Sequence, residues 1–254
     1  MFRTREKCGA TVKIVIRYGY ARSETHFTKV LGPLASLASR HFENVFRFAL
    51  YSMFYVVGLG NPGAEYEKTR HNTGRNAVEA LRSALDFPSW EEKTKLRALL
   101  SVGEIGKNKT TLILPNTFMN KSGETIKLLV KSVKQAEQLV VVHDDLDLPF
   151  GKFKISFNKS SGGHKGVESI VKAIKTQAFI RVRVGISPFS AKASKGKQAI
   201  ILKKPKGEAE VERHILGAFK PAELTELKQL HKKICEAITA IVSSGREKAM
   251  SGFN

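Results

Sequence analysis

An imidazole, a carboxylate and two carboxamides are spaced along this chain so that a fold could bring them to one mouth: His71, Asp144, Asn61 and Asn120. An imidazole near neutral pH can take a proton from water, and a carboxylate beside it can hold its tautomer and favour charge on the ring. Side-chain amides offer both donors and an acceptor, so they can fix a carbonyl or a water in place.

The segment that must position the first pair is FYVVGLGNPGAEYEKTRHNTG, residues 54–74. Phe54 to Val57 is a short apolar, β-branched and aromatic run stopped by Gly58, which predicts a buried strand. Gly58, Gly60 and Gly63 are free to take positive φ or to let another group approach, while Pro62 stiffens the turn around Asn61. Gly58-x-Gly60-x-x-Gly63 also fits the dinucleotide fingerprint, but that motif needs its third glycine to open a helix. Here a polar stretch follows, and helical spacing begins only near Thr73, with Ala77, Val78, Leu81 and Leu85 on one side. A helix over 74–86 is expected, with Thr73 as its cap. His71 then lies ahead of a helix N-terminus, whose positive end disfavours the protonated ring. A loop histidine bonded to its own turn is the bland alternative.

Arg97–Ile105 and Thr110–Leu114 predict a hairpin around Gly106–Lys109. PNTFMNKSGET follows, where Phe118 and Met119 are either exposed loop residues or plain core, and Asn120 ends a strand-to-helix connection. Ser122 is the expected cap of the next helix, with Ile126, Leu128, Leu129 and Val133 near its buried side. Gln138–His143 reads as a buried parallel strand. At its exit stand Asp144, Asp145 and Asp147, where an open α/β sheet places its ligand. Three carboxylates invite Mg²⁺, whereas one beside His71 invites an orienting role.

In Gly151–Asn158, Phe153, Ile155 and Phe157 alternate with Lys152, Lys154 and Ser156, giving one basic face. SSGGHKG leads into a helix over 167–174, and Ile180–Ile186 forms another strand with Arg181 and Arg183 on its polar side. Residues 187–208 read as an exposed Lys-rich loop. A short helix over 211–219 and a long one over 221–245 close the chain, the latter burying Leu224, Leu227, Leu230, Ile234, Ile238 and Ile241.

With 43 Lys+Arg against 23 Asp+Glu among 254 residues, net charge +20, the first inference is a polyanionic partner. RNA fits better than membrane, since no run of about 18 apolar residues occurs. Cys8 and Cys235 are far apart and read as ordinary thiols. Residues 1–52 form a basic extension with nine Lys/Arg against three Glu. It suits a mitochondrial presequence, through an amphipathic segment over 34–51, although residues 13–18 alternate like a strand. A start at Met53 is the other reading. Residues 53–254 form one α/β domain, and mitochondrial or cytoplasmic residence is expected accordingly.

GLGNPG, the TRHN around His71, PNTFMNKSGE, HDDLDLPFG and GGHKGVESI, in this order and at these separations, resemble the bacterial-type peptidyl-tRNA hydrolases. The resemblance runs from Met53 to the C-terminal helix. It implies a single three-layer α/β/α domain with a central mixed sheet, a monomer, and metal-free, cofactor-free hydrolysis of the ester joining a peptide to the 3′ end of tRNA. On its terms His71 is the base that activates water, Asp144 its orienting carboxylate and Asn61 the amide beside it. Asn120 binds the peptide or holds the water, and Phe118, Met119 and Tyr66 shape the substrate cleft. A base, one orienting carboxylate and two amides are also what ester hydrolysis by water requires. Two departures stand out. Lys165 replaces an Asn that contacts substrate, and Ser156 replaces a basic residue of a clamp on the tRNA's 5′ phosphate. Arg183 matches the other half of that clamp, and Lys154, two residues from Ser156 on the same face, can supply the missing charge. A weakened RNA-binding homologue and a small-ester hydrolase are the rival functions.

Overall fold

The computed structural model describes residues 53–194 and 197–254, with side chains described outside 191–200. The expectations for residues 1–52, a presequence and the thiol Cys8 among them, lie outside the described residues.

β1 (Met53–Gly58) is followed by a 3-10 turn at Arg70–Asn72 and by α1 (Thr73–Ala84). β2 (Glu91–Lys93), β3 (Ala98–Ile105) and β4 (Asn108–Pro115) form a meander, in which Gly106 at φ 62° and Lys107 make the tight turn. Next come α2 (Ser122–Leu129), the short α3 (Val133–Ala136) and β5 (Leu139–Pro149). β6 (Phe153–Phe157), α4 (Lys165–Ile174) and β7 (Ile180–Ser187) complete the main sheet. The seven strands run in the order β2-β3-β4-β1-β5-β7-β6. β4, β1, β5 and β7 are mutually parallel, while β2, β3 and β6 pair antiparallel at the two sides. The sheet is therefore mixed, as expected.

One face of the sheet packs Val56, Val140, Val142 and Val182 against α1 and the long α6 (Pro221–Ser244). The other packs Val57, Ile113, Val141 and Leu139 against α2, α3 and α4 through residues such as Ile126 and Ile170. β1 sits centrally, and the chain leaves it toward one face and leaves β4 toward the other. That reversal opens a crevice at the carboxyl ends of β4, β1 and β5, the place where open α/β sheets bind ligands.

Several local expectations change. Residues 187–208 are not an irregular loop: β8 (Phe189–Ser194) and β9 (Lys197–Leu202) pair antiparallel, followed by α5 (Glu208–Leu216). Leu128, Val133 and Leu224 are exposed, because α2 stops at Leu129 and turns extended at Val130, and Leu224 lies on the first, solvent-facing turn of α6. Arg181 is buried rather than on an exposed polar face. Beyond α6 the chain adds α7 (Arg246–Phe253), which packs on the edge strand β6, and the Asn254 side chain bonds both the N–H and the C=O of Ile155 there.

Candidate active site

The GLGNPG turn is held by approach more than by torsion. Only Gly63 among its glycines has positive φ, at 111°, whereas Gly58 and Gly60 are required by contact. A Cβ on Gly58 would lie 2.6 Å from the Gly74 carbonyl, and one on Gly74 would run into the Val142 carbonyl. The first turn of α1 thus lies directly against the ends of β1 and β5, and Arg75 donates its N–H to the Leu59 carbonyl at 2.9 Å. This close approach carries His71 to Asp144.

Thr73 does not cap α1. Its hydroxyl donates back to the Arg70 carbonyl at 2.7 Å, inside the 3-10 turn that carries His71. His71 and Asp144 are both buried, and the Nδ1 of His71 faces the two carboxylate oxygens at 3.0 and 3.1 Å. An ionised carboxylate only accepts, so Nδ1 carries the proton and the lone pair is left on Nε2 of a ring that lines the cleft. The expectation that the helix end keeps this ring neutral is corrected. Burial and the nearby Lys165 favour the neutral ring, but the charge and hydrogen bond of Asp144 outweigh them and raise the His71 pKa above 6.5. Burial alone would raise the Asp144 carboxyl, yet His71 and His164 hold it well below the usual carboxylate range.

Asn61 is fixed on both sides. Its N–H and C=O pair with the Asn72 side chain at 2.8 and 2.9 Å, and its Oδ1 accepts from the Met119 N–H at 2.8 Å. With Oδ1 occupied, the Nδ2 donors are the part of Asn61 free to meet a ligand. The consecutive residues Phe118, Met119 and Asn120 divide. Met119 is buried in the core, Phe118 is 58 % exposed at the cleft, and Asn120 is exposed on its lining. Phe118 meets the ring of Tyr66 edge-on at 6.5 Å between centroids, so these two aromatics wall one side. Ser122 repeats the pattern of Thr73, donating to the Met119 carbonyl at 2.9 Å rather than capping α2.

Asn61, Tyr66, His71, Phe118, Met119, Asn120 and Asp144 line one cleft of about 520 Å³, which also holds Lys165 and residues of α5. Lys165 reaches Glu208 of α5 at 3.5 Å, both largely exposed. His164, not singled out in the sequence, is drawn into the same cluster: its Nε2 lies 2.9 Å from the Asp144 carboxylate. Its sequence signals are its place in the GGHKGVESI motif and at a glycine-rich connection ahead of a helix, neither of which points to Asp144.

The acidic run does not converge as a Mg²⁺ site would need. Asp144 faces His71 and His164, Asp145 pairs with Arg183 at 2.6 Å, and Asp147 pairs with Lys204. His71, Asp144 and His164 do place ligand atoms within 4.8 Å of one another, but those atoms already bond each other. On the basic face, Lys154 lies directly across from Arg183 and Ser156 across from Arg181. Lys154 is exposed and Arg183 half-buried, so these two, outside the cleft, form a separate patch.

The peptidyl-tRNA hydrolase family model matches residues 55–254. The chain belongs to this family. Among relatives, the peptidyl-tRNA hydrolase of Aquifex aeolicus is 38% identical over 200 residues, covering 78% of this chain and 95% of that protein. That of Caldanaerobacter subterraneus is 37% identical over 203 residues, covering 80% and 100%. The crystal structure of peptidyl-tRNA hydrolase from Acinetobacter baumannii superposes with TM-score 0.67 at 28% identity, covering 80% of this chain and 94% of that one. The peptidyl-tRNA hydrolase fold therefore spans all the elements that build the cleft.

Proposed function

We propose that the cleft hydrolyses the ester between a peptide, or another N-blocked aminoacyl group, and the 3′ end of tRNA. The single observation that carries the mechanism is the His71–Asp144 pair on the cleft wall, with Nδ1–H held by the carboxylate and the lone pair left on Nε2. Nε2 takes a proton from water as its oxygen attacks the ester carbonyl. The Nδ2 donors of Asn61, preset by the Met119 and Asn72 bonds, meet the negative oxygen of the tetrahedral intermediate. Asn120 orients the peptide or the water. Collapse breaks the bond to the ribose 3′ oxygen, which leaves with the proton held on Nε2. Tyr66 and Phe118 pack on the apolar parts of the substrate, and Lys165 meets it where an amide would otherwise stand.

Lys154 and Arg183 form the tRNA-positioning patch in this reading, gripping the 5′ phosphate from neighbouring strands. Arg183 keeps its two terminal amino groups for this, because only Nε is committed to Asp145. The protein acts as a monomer without a metal, so turnover survives exhaustive chelation. Residues 1–52 serve import into mitochondria and are dispensable for catalysis. No helix among the described residues is long and apolar enough to cross a membrane.

Single-turnover assays on N-acetyl-aminoacyl-tRNA, free aminoacyl-tRNA and a small aminoacyl ester test the reading. Rapid release from the first substrate alone is expected. Binding without release would point to an RNA-binding homologue, and equal rates on the small ester to a general esterase. N-terminal sequencing of the native protein locates the start of the mature chain.

A further inference from the structure

Asp144 is bracketed by three histidines, of which the hydrolytic mechanism uses one. His143, fully buried on β5, makes a 2.7 Å bond between its Nδ1 and the Asp144 carbonyl, fixing the backbone that carries the carboxylate. His164 approaches the carboxylate itself. It is the N-cap of α4, and its Nδ1 accepts from the N–H groups of Gly166 and Val167 at 3.2 and 3.3 Å. A nitrogen that accepts two N–H bonds carries a lone pair, so the proton of this ring sits on Nε2. Nε2–H then points at Asp144 Oδ1, 2.9 Å away. The helix end dictates the tautomer, and the tautomer dictates a donor toward the carboxylate.

We infer that His164 is a positioning residue: it donates from Nε2 to Asp144, divides that carboxylate between two imidazoles, and thereby sets both the orientation and the basicity of His71. The inference rests on the hydrolase reading only for its kinetic arm. Oδ1 receives both rings, His71 at 3.0 Å and His164 at 2.9 Å, so the carboxylate cannot rotate without losing one of them. Negative charge committed to His164 is charge not available to a protonated His71. The other charged or titratable groups facing this cluster are His143 from β5, Arg181 from β7, whose charge acts on His143, and Lys165 from α4, whose charge opposes protonation of His71.

His164→Asn separates the two jobs of this side chain. Asparagine is among the best N-cap residues and keeps α4 capped, but it is too short to reach Asp144. Relieved of its second donor, the carboxylate should hold a protonated His71 more strongly. The acid limb of kcat/KM and the NMR titration of His71 should both move to higher pH. kcat should fall about ten-fold or more, the size of one hydrogen bond to a charged group. A residue that only caps a helix predicts an unmoved limb and an unmoved titration, and that result would overturn the inference. A second measurement needs no variant: ¹⁵N-histidine spectra of the wild-type protein should show the neutral His164 ring as the Nε2–H tautomer. Finding the proton on Nδ1 would refute the bond directly, even if the variant failed to fold. The His71 titration and the tautomer are read without substrate. Failure to hydrolyse peptidyl-tRNA would therefore remove the proposed function while leaving this question answerable.

Discussion

His71 and His231 are both sequestered imidazoles, and burial pushes each toward its neutral form, yet they finish on opposite sides of the ordinary value. His231 lies in a groove between α1 and α6 that it shares with the buried Cys235, and its Nε2 has no partner among the described residues. Burial lowers its pKa to about 4, and burial with Glu236 nearby lifts the Cys235 thiol to about 11. His71 is as hidden, but a carboxylate stands against its Nδ1, and its pKa rises. Burial alone produces an inert neutral ring. Burial with one oriented charge produces a ring whose tautomer is fixed and which can bear a proton during reaction. The difference between a site and a groove lies here in Asp144, not in the histidines.

Removing the ring tests the comparison most harshly. His71→Ala should lower single-turnover hydrolysis by about 10²–10⁴-fold, the usual reach of a general base, while leaving tRNA binding within a few-fold. Wild-type turnover in that variant would mean the base lies elsewhere. Asp144→Asn should cost less in rate, about 10–10²-fold, because the ring stays while its orientation weakens. It should also make His71 behave like His231: without the carboxylate, only burial and Lys165 remain, and the His71 titration should drop below 6.5. In the wild type the acid limb of kcat/KM should instead lie above 6.5, since the base must be unprotonated to act.

Smaller effects come from the basic patch. Lys154→Ala and Arg183→Ala should each weaken tRNA binding and flatten its salt dependence, by about 0.7–0.9 in log–log slope for every phosphate that is no longer neutralised. Turnover at saturating substrate should barely change, because these side chains position the tRNA. If removing the 5′ phosphate leaves the relative affinities of wild type and variants unchanged, the patch is only a solvated face.

The smallest effect on activity belongs to His231→Leu. With a folded pKa of about 4 against 6.5, the unfolded chain takes up this proton first, so stability falls as pH drops from about 6.5 to about 4. His71 has the opposite sign: its raised pKa contributes stability below 6.5 that is lost as pH climbs through the folded value. Urea titrations at several pH values should show His231→Leu removing the acid-side loss with hydrolysis unaltered. A variant that lost activity would tie the groove to the cleft.

What the sequence disclosed follows how locally each feature is determined. The buried run Leu139–Val142 and the apolar stripe of α6 from Leu227 to Ile241 announce themselves by period, because one face or both faces are covered along their length. The mouth residues His71, Asn61 and Asn120 were legible because strand ends and helix starts deliver them there. Thr73 and Ser122 misled in the same way: each helix is entered through a 3-10 turn, so the hydroxyl stands inside the first turn and bonds the carbonyl three residues back. The β8–β9 ribbon escaped because FSAKAS offers small and charged residues where a strand is usually recognised by β-branched ones. His164 escaped for a stronger reason. Its function needs α4 to fix one nitrogen and β5 to supply the acceptor for the other, and neither partner is visible from GGHKG alone.

At the far side of the sheet, the carboxamide of Asn254 acts as a fragment of an additional strand. A sheet edge with free N–H and C=O groups invites another copy of the chain to add itself. On β6 the two polar groups of Ile155 that would start such growth are already taken, and Arg246 lies over the neighbouring Phe157 ring at 3.7 Å from its centroid. The middle of the edge nearest the basic patch is thus closed to intermolecular β-pairing by one side-chain amide, and the exposed Lys152 and Lys154 add like charge against a second copy beside it.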